Sequence, residues 1–186
     1  DYGINMIVLG LLISSLWSIS DNPMFAYVFG NGYLAGMACY LLTFIFPFPF
    51  MIHLNKLQGY RYQKQFTISG VVLILNMVVF SLHHLFSPYS FLVTKPVIYG
   101  VLGIVVAYMF GILIYDKIKK RVATYKEQYW GYVGVAVAGS LEFVNQNITF
   151  SSSDIHSGLF IMLGVWALVF CTFLMLIRRA SDDRLN

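Results

Sequence analysis

Glu142 is the one acid set well inside an apolar run of this 186-residue chain. A carboxylate in hydrocarbon is costly, so such a group is neutral, paired or open to a wet cavity. Asn145 and Gln146 follow at i+3 and i+4, on the same helical face. Ala138 and Gly139 continue that face with small side chains, and Gly134 and Gly131 lie deeper. Two readings stand. In one, Glu142 is the floor of a polar pocket that opens toward the outer surface. In the other, it is a protonated or hydrogen-bonded group that holds two helices together.

A second polar set is His83 and His84, with Asn76 two turns before them on nearly the same face. Asp154 and His156 lie in a later loop. Histidines with a carboxylate are ligands for a borderline metal. Adjacent histidines on a helix point about 100° apart, however, so one ion rarely takes both. No metal site is expected, and histidines that hydrogen-bond or titrate at an interface are the better reading. Trp17 and Asp21, at the end of the first apolar block, complete the candidate ligand-binding residues. Catalysis is not expected. The chain has no GxSxG elbow, no HExxH, no phosphate-cradling glycine loop and no carboxylate pair on one helix. Cys39 and Cys171 lie in apolar blocks without a CxxC pair and read as packed thiols.

The elements that must carry these residues are plain in the composition. The chain is 59% hydrophobic and 11% charged, where soluble domains carry about a quarter charged residues. The apolar residues come in blocks, not stripes. Backbone polar groups cannot be left bare in lipid, so such blocks must be helices. The expected fold is all-α, a polytopic transmembrane helical bundle forming a single domain. Six spans are expected, at 4–19, 33–52, 66–86, 96–115, 129–148 and 158–177. At a rise of about 1.5 Å per residue, about 20 residues cross the hydrocarbon core. Pro47 and Pro49 fall near the end of the second span, and Gly30-Asn31-Gly32 reads as a turn. No repeat of fixed period is present.

Charge orients the bundle. Of the twelve Lys and Arg residues, all but Lys95 lie in alternate connections and the tail. Lys56, Arg61 and Lys64 share one loop, taken as His53 to Gln65. Lys117, Lys119, Lys120, Arg121 and Lys126 share another, and Arg178, Arg179 and Arg184 follow the last span. Positively charged short loops stay in the cytoplasm, so both termini are expected there, in a multi-pass protein of the cell membrane. Trp17 at the outer end of the first span and Tyr129 with Trp130 at the inner end of the fifth fit interfacial anchors. Trp166 lies deeper and is expected to pack against another helix. The net charge of +4 is explained by this sidedness, and no nucleic-acid partner is expected.

Three stretches carry a resemblance: Leu16-Trp17-Ser18-Ile19-Ser20-Asp21, Phe29-Gly30-Asn31 and Phe46-Pro47-Phe48-Pro49-Phe50. Together they resemble the N-terminal membrane region of bacterial, mostly Gram-positive, signalling proteins that end in a GGDEF diguanylate cyclase domain. In that group a tryptophan and an acid close one span, a Gly-Asn turn opens the next, and a Pro-x-Pro ends it. The broader type is similar to seven-transmembrane receptors with diverse intracellular signalling modules. The resemblance implies that the visible spans are the last six of seven. The cyclase activity would then belong to a longer parent protein, and this chain by itself is expected to be no enzyme. No GGDEF-like sequence lies within these residues, and the start at Asp1 without a signal peptide fits a piece of that parent.

The expected function is therefore a membrane-embedded sensory and signal-transducing module that controls a cytoplasmic output domain. Its partners would be the lipid bilayer, an external or membrane ligand and, through the parent, a second copy. No cofactor is expected. Residues 178–186 contain no Gly or Pro and would begin a cytoplasmic helical linker. The alternative is a small transporter or channel subunit that uses Glu142 as an ion or proton site.

Overall fold

The computed structural model describes residues 2–21, 23–86, 91–148 and 159–185. All regular structure among them is helical. The helices are α1 (Tyr2–Asp21), α2 (Pro23–Phe29), α3 (Gly32–Ile45), α4 (Pro47–Leu57), α5 (Gln63–Phe86), α6 (Phe91–Ile118), α7 (Lys126–Ile148) and α8 (Leu159–Leu185). A 3-10 turn, Val122–Tyr125, precedes α7. The chain divides into two compact units, Asp1–Leu102 and Gly103–Asn186, with the division inside α6.

Among the described residues, four helical stretches are long and apolar enough to cross a membrane: Gly36–Leu57, Gln63–His84, Val97–Ile118 and Leu159–Arg178. The other two expected spans fall short for different reasons. The apolar part of α1, Ile4–Ser20, is short. α7 is long, but glycines, Gln128, Glu142, Asn145 and Gln146 dilute its apolar character. Serines and threonines inside the helices bond to their own backbone. Ser14 donates to the Gly10 carbonyl at 2.6 Å, Thr43 to Cys39 at 2.9 Å and Thr172 to Leu168 at 2.8 Å. That is how a hydroxyl is satisfied where no water is at hand.

In the first unit, α1 pairs antiparallel with α3 and α4. Gly10 lies against the Phe50 ring, and a Cβ there would come within 2.6 Å of Phe50 Cζ. Further along, Trp17 stacks on Phe46 with ring centroids 6.3 Å apart. The turn at Gly30 forms as its composition predicts, with the glycine at φ +65°. The segment before it, read from sequence as loop, contains the short α2.

Pro47 and Pro49 do not end the second span. Phe46 keeps helical angles (φ −49°, ψ −42°) and its N–H bonds to the Leu42 carbonyl at 2.9 Å. Pro47 then occupies the first position of α4, where a missing N–H costs least, and the helix runs on to Leu57. The loop expected from His53 to Gln65 contracts to the turn between α4 and α5. Lys56 and Lys64 stand in the flanking helical turns. Gly59 ends α4 at φ +62°, with its N–H on Lys56 O and the Tyr60 N–H on Asn55 O, each at 2.9 Å. This is a Schellman closure with glycine in its usual left-handed place.

In the second unit, α7 and α8 form a tight antiparallel pair built on small residues. A Cβ on Gly131 would lie 2.8 Å from Leu168 Cα, and one on Gly164 would lie 2.6 Å from Ala138 Cβ. Such close backbone approach is the usual device for packing helices where apolar burial gives no drive. The tryptophan expectations reverse. Trp17 is 1% exposed and sits in the core of its unit, while Trp166 is 62% exposed on the outer face of α8. Packing on Phe46 draws the first ring inward. Gly164, Ala167 and Leu168 occupy the face of α8 turned to α7, which leaves Trp166 the opposite side.

Candidate functional site

The small-residue face of α7 determines where Glu142 points. Gly131, Gly134 and Ala138 meet α8 at Leu168, Ala167 and Gly164. Gly139 and Phe143 instead face α6, against Val106 and Gly103. Steps of about 100° per residue put Glu142 about 40° from Ala138, on the side of Gly139. Its carboxyl therefore lies in the seam between the α8 face and the α6 face, and Glu142 is 1% exposed. Asn145, one turn on, is half-buried, and Gln146 is its neighbour in α7. A buried carboxyl in such a seam can hold two helices together, one of the two roles its sequence position allows.

The connection from α6 to α7 holds polar structure that sequence reasoning missed. Asp116 is 0% exposed although lysines surround it in sequence. The Tyr125 hydroxyl donates to Asp116 Oδ2 at 2.6 Å. The backbone closes as it does after α4: Lys120 N–H bonds to Lys117 O at 3.0 Å and Arg121 N–H to Asp116 O at 2.9 Å. Here, however, the left-handed position is filled by Lys120 at φ +55°, at a cost of about 1–2 kcal/mol that glycine would avoid. Lys117 Nζ stands 4.9 Å over the Trp130 ring and 5.9 Å over that of Tyr129. Gln128 is buried at the start of α7, and its Oε1 has no hydrogen-bond partner among the described residues. The signal available in sequence was the acid that ends an apolar run before the lysines. Its tyrosine partner, nine residues on, has no spacing rule that would reveal it.

The exit of α8 is tied to the entry of α7. Arg178 Nη1 donates to Glu127 Oε1 at 2.6 Å. The Glu127 carboxyl is held below the ordinary carboxylate range, first by a hydrogen bond from its own backbone N–H and further by Arg178, while burial acts the other way. α8 then continues without a break from the end of its apolar stretch at Arg178 to Leu185.

The first unit holds the remaining candidates. Trp17 is in the α1 core, and its Nε1 has no hydrogen-bond partner among the described residues. Asp21 closes α1. On α5, Asn76 is buried, His83 is exposed and His84 is half-buried. The two histidines thus face different surroundings, as their separation around the helix requires. Asp154 and His156 lie outside the described residues. Among the described residues no group of three or more His, Cys, Asp and Glu side chains could hold a metal. His53 and Gln58 are buried at the end of α4, polar positions that the loop reading had passed over. No protein-family model matches the chain, and neither a curated protein nor a solved structure is significantly similar to it.

Proposed function

We propose that this chain is a membrane-embedded sensory module that passes a signal through α8 to a cytoplasmic output domain of a longer parent protein. In this reading the six spans are α1, α3 with α4, α5, α6, α7 and α8, the last six of seven. The turns after α4 and α6 and the end of α8 lie in the cytoplasm, on the positive-inside argument. The sequence resemblance points to a diguanylate cyclase as the output.

The observation that carries the reading is the continuity of α8. It runs from Leu159 to Leu185 with neither glycine cap nor proline where its apolar stretch ends. A helix stiff across that boundary can deliver a rotation or a shift, whereas a flexible tether cannot. The Glu127–Arg178 pair fixes one position of α8 against α7 at this boundary. Trp17, Asp21, Asn76, His83 and His84 in the first unit and Glu142, Asn145 and Gln146 in the second are the polar groups that a signal would engage. Signalling further requires two packings of α8 with different affinity for the ligand.

The test is helical phase. One residue inserted after Ala180 turns everything beyond it by about 100°, while seven nearly restore the phase. In the parent protein, one inserted alanine should change basal output strongly and seven helix-forming residues should largely restore it. Equal output from the parent protein and both insertions refutes transmission through α8.

A further inference from the structure

The connection between α6 and α7 does more than return the chain. Lys117, Lys119, Lys120 and Lys126 are exposed there. The acids of the same stretch are engaged elsewhere, Asp116 by Tyr125 and Glu127 by Arg178. The buried Asp116–Tyr125 bond holds the turn in one shape. That shape places a lysine, Lys120, at the left-handed position that glycine fills after α4. A backbone outlier of this kind points to a use for the side chain it carries.

Apolar surface lies directly beside these cations. Ile118, between Lys117 and Lys119, is 70% exposed. Ile114 and Tyr115, one turn back along α6, and Trp130, one turn into α7, are exposed as well. Lys117 lies over the Trp130 ring and Lys119 Nζ is 5.7 Å from the centre of the Tyr115 ring. Cations above an aromatic and aliphatic collar match a phospholipid, with its phosphate at the headgroup level and its chains below. A free phosphate would have no use for the collar.

We propose that this connection is a seat for an anionic phospholipid, its phosphate held by Lys119, Lys120 and Lys126 and its chains lying on Ile114, Ile118 and Trp130. The seat needs a bilayer but not the signalling role of α8, so failure of the insertion experiment leaves it standing. It also agrees with the orientation argued above, because the anionic lipids are those of the cytoplasmic leaflet.

The test uses the full chain with Trp166→Phe, reconstituted in phosphatidylcholine vesicles that contain brominated phosphatidylglycerol or, in a second arm, brominated phosphatidylcholine. Trp17 is buried, so contact quenching reports on Trp130. The anionic lipid should quench at a mole fraction several-fold lower than the zwitterionic one, and about 0.5 M salt should reduce that preference. Each lysine changed to glutamine should lower it by up to about fivefold, so K119Q/K120Q/K126Q should quench equally with both lipids. K120G separates binding from folding. It relieves the left-handed strain, so it should melt at or above the temperature of the unsubstituted protein yet lose part of the preference. Equal quenching by the two lipids in the unsubstituted protein, or a preference kept in the triple variant, overturns the seat. Competition by soluble glycerol 3-phosphate would also overturn it, since the site would then hold a free phosphate. Failure of the chain to insert into vesicles overturns the seat and the membrane-spanning reading together.

Discussion

Gly164→Ala tests the close approach of α7 and α8. The added Cβ would stand 2.6 Å from Ala138 Cβ, 3.0 Å from Val135 Cα and 3.2 Å from the Gly134 carbonyl oxygen. Carbon atoms in ordinary contact are about 3.5–4.0 Å apart, so α7 and α8 must separate locally by about 1 Å. Backbone atoms are among the obstacles, so a rotamer change cannot absorb the shift. Overpacking of this kind costs about 1–3 kcal/mol. Alanine gains up to about 1 kcal/mol over glycine in helix propensity. The net expectation is a destabilisation of about 1–2 kcal/mol. Gly111→Ala is the internal control, because nothing lies within 4 Å of a Cβ there, and only the propensity gain remains. Unfolding by SDS titration of the protein in mixed micelles, followed by circular dichroism, measures both. Ala138→Gly added to Gly164→Ala should recover part of the loss and no more, since Val135 and Gly134 still obstruct. If Gly164→Ala is as stable as Gly111→Ala, the close pairing of α7 and α8 is wrong.

Two further predictions concern charge and sidedness. Glu127→Gln should destabilise by less than about 1 kcal/mol at neutral pH, since Arg178 is largely exposed and solvent screens the pair. The Glu127 pKa is lowered in the folded state, so its contribution is present above the unfolded-state pKa and disappears as pH falls through the folded one. The gap between the two proteins should therefore close as the pH falls through the folded-state pKa, and a gap that persists or widens on acidification contradicts the pairing. Arg61, Lys119 and Asn31 are exposed, and the proposed orientation assigns the first two to the cytoplasm and Asn31 to the outside. With Cys39 and Cys171 replaced by alanine, an impermeant maleimide added to intact cells should label Asn31→Cys while sparing Arg61→Cys and Lys119→Cys. The reverse pattern would invert the orientation.

Much of the architecture is determined locally and can be read in the chain. Apolar blocks must be helical because lipid offers their backbone no partner. Gly30 stops a helix because it can take a left-handed angle cheaply. The distribution of lysine and arginine is a property of order along the chain and needs no coordinates. What the sequence could not determine is azimuth. A helix that is apolar on most sides has no stripe to say which face packs inward, so Trp17 and Trp166 exchange their expected places. The expected second span already ran through Pro47 and Pro49 to residue 52, and what stayed hidden was its run on to Leu57. Phe46 keeps helical angles and packs on Trp17, with its neighbour Phe50 against Gly10. The seam around Glu142 exists only because Gly131, Gly134 and Gly164 let α7 and α8 close up, with Gly139 and Phe143 turned to α6. The buried Asp116–Tyr125 bond likewise depends on a turn with a lysine where glycine is the rule. These features join side chains distant in sequence, and only the packed structure decides which of them meet.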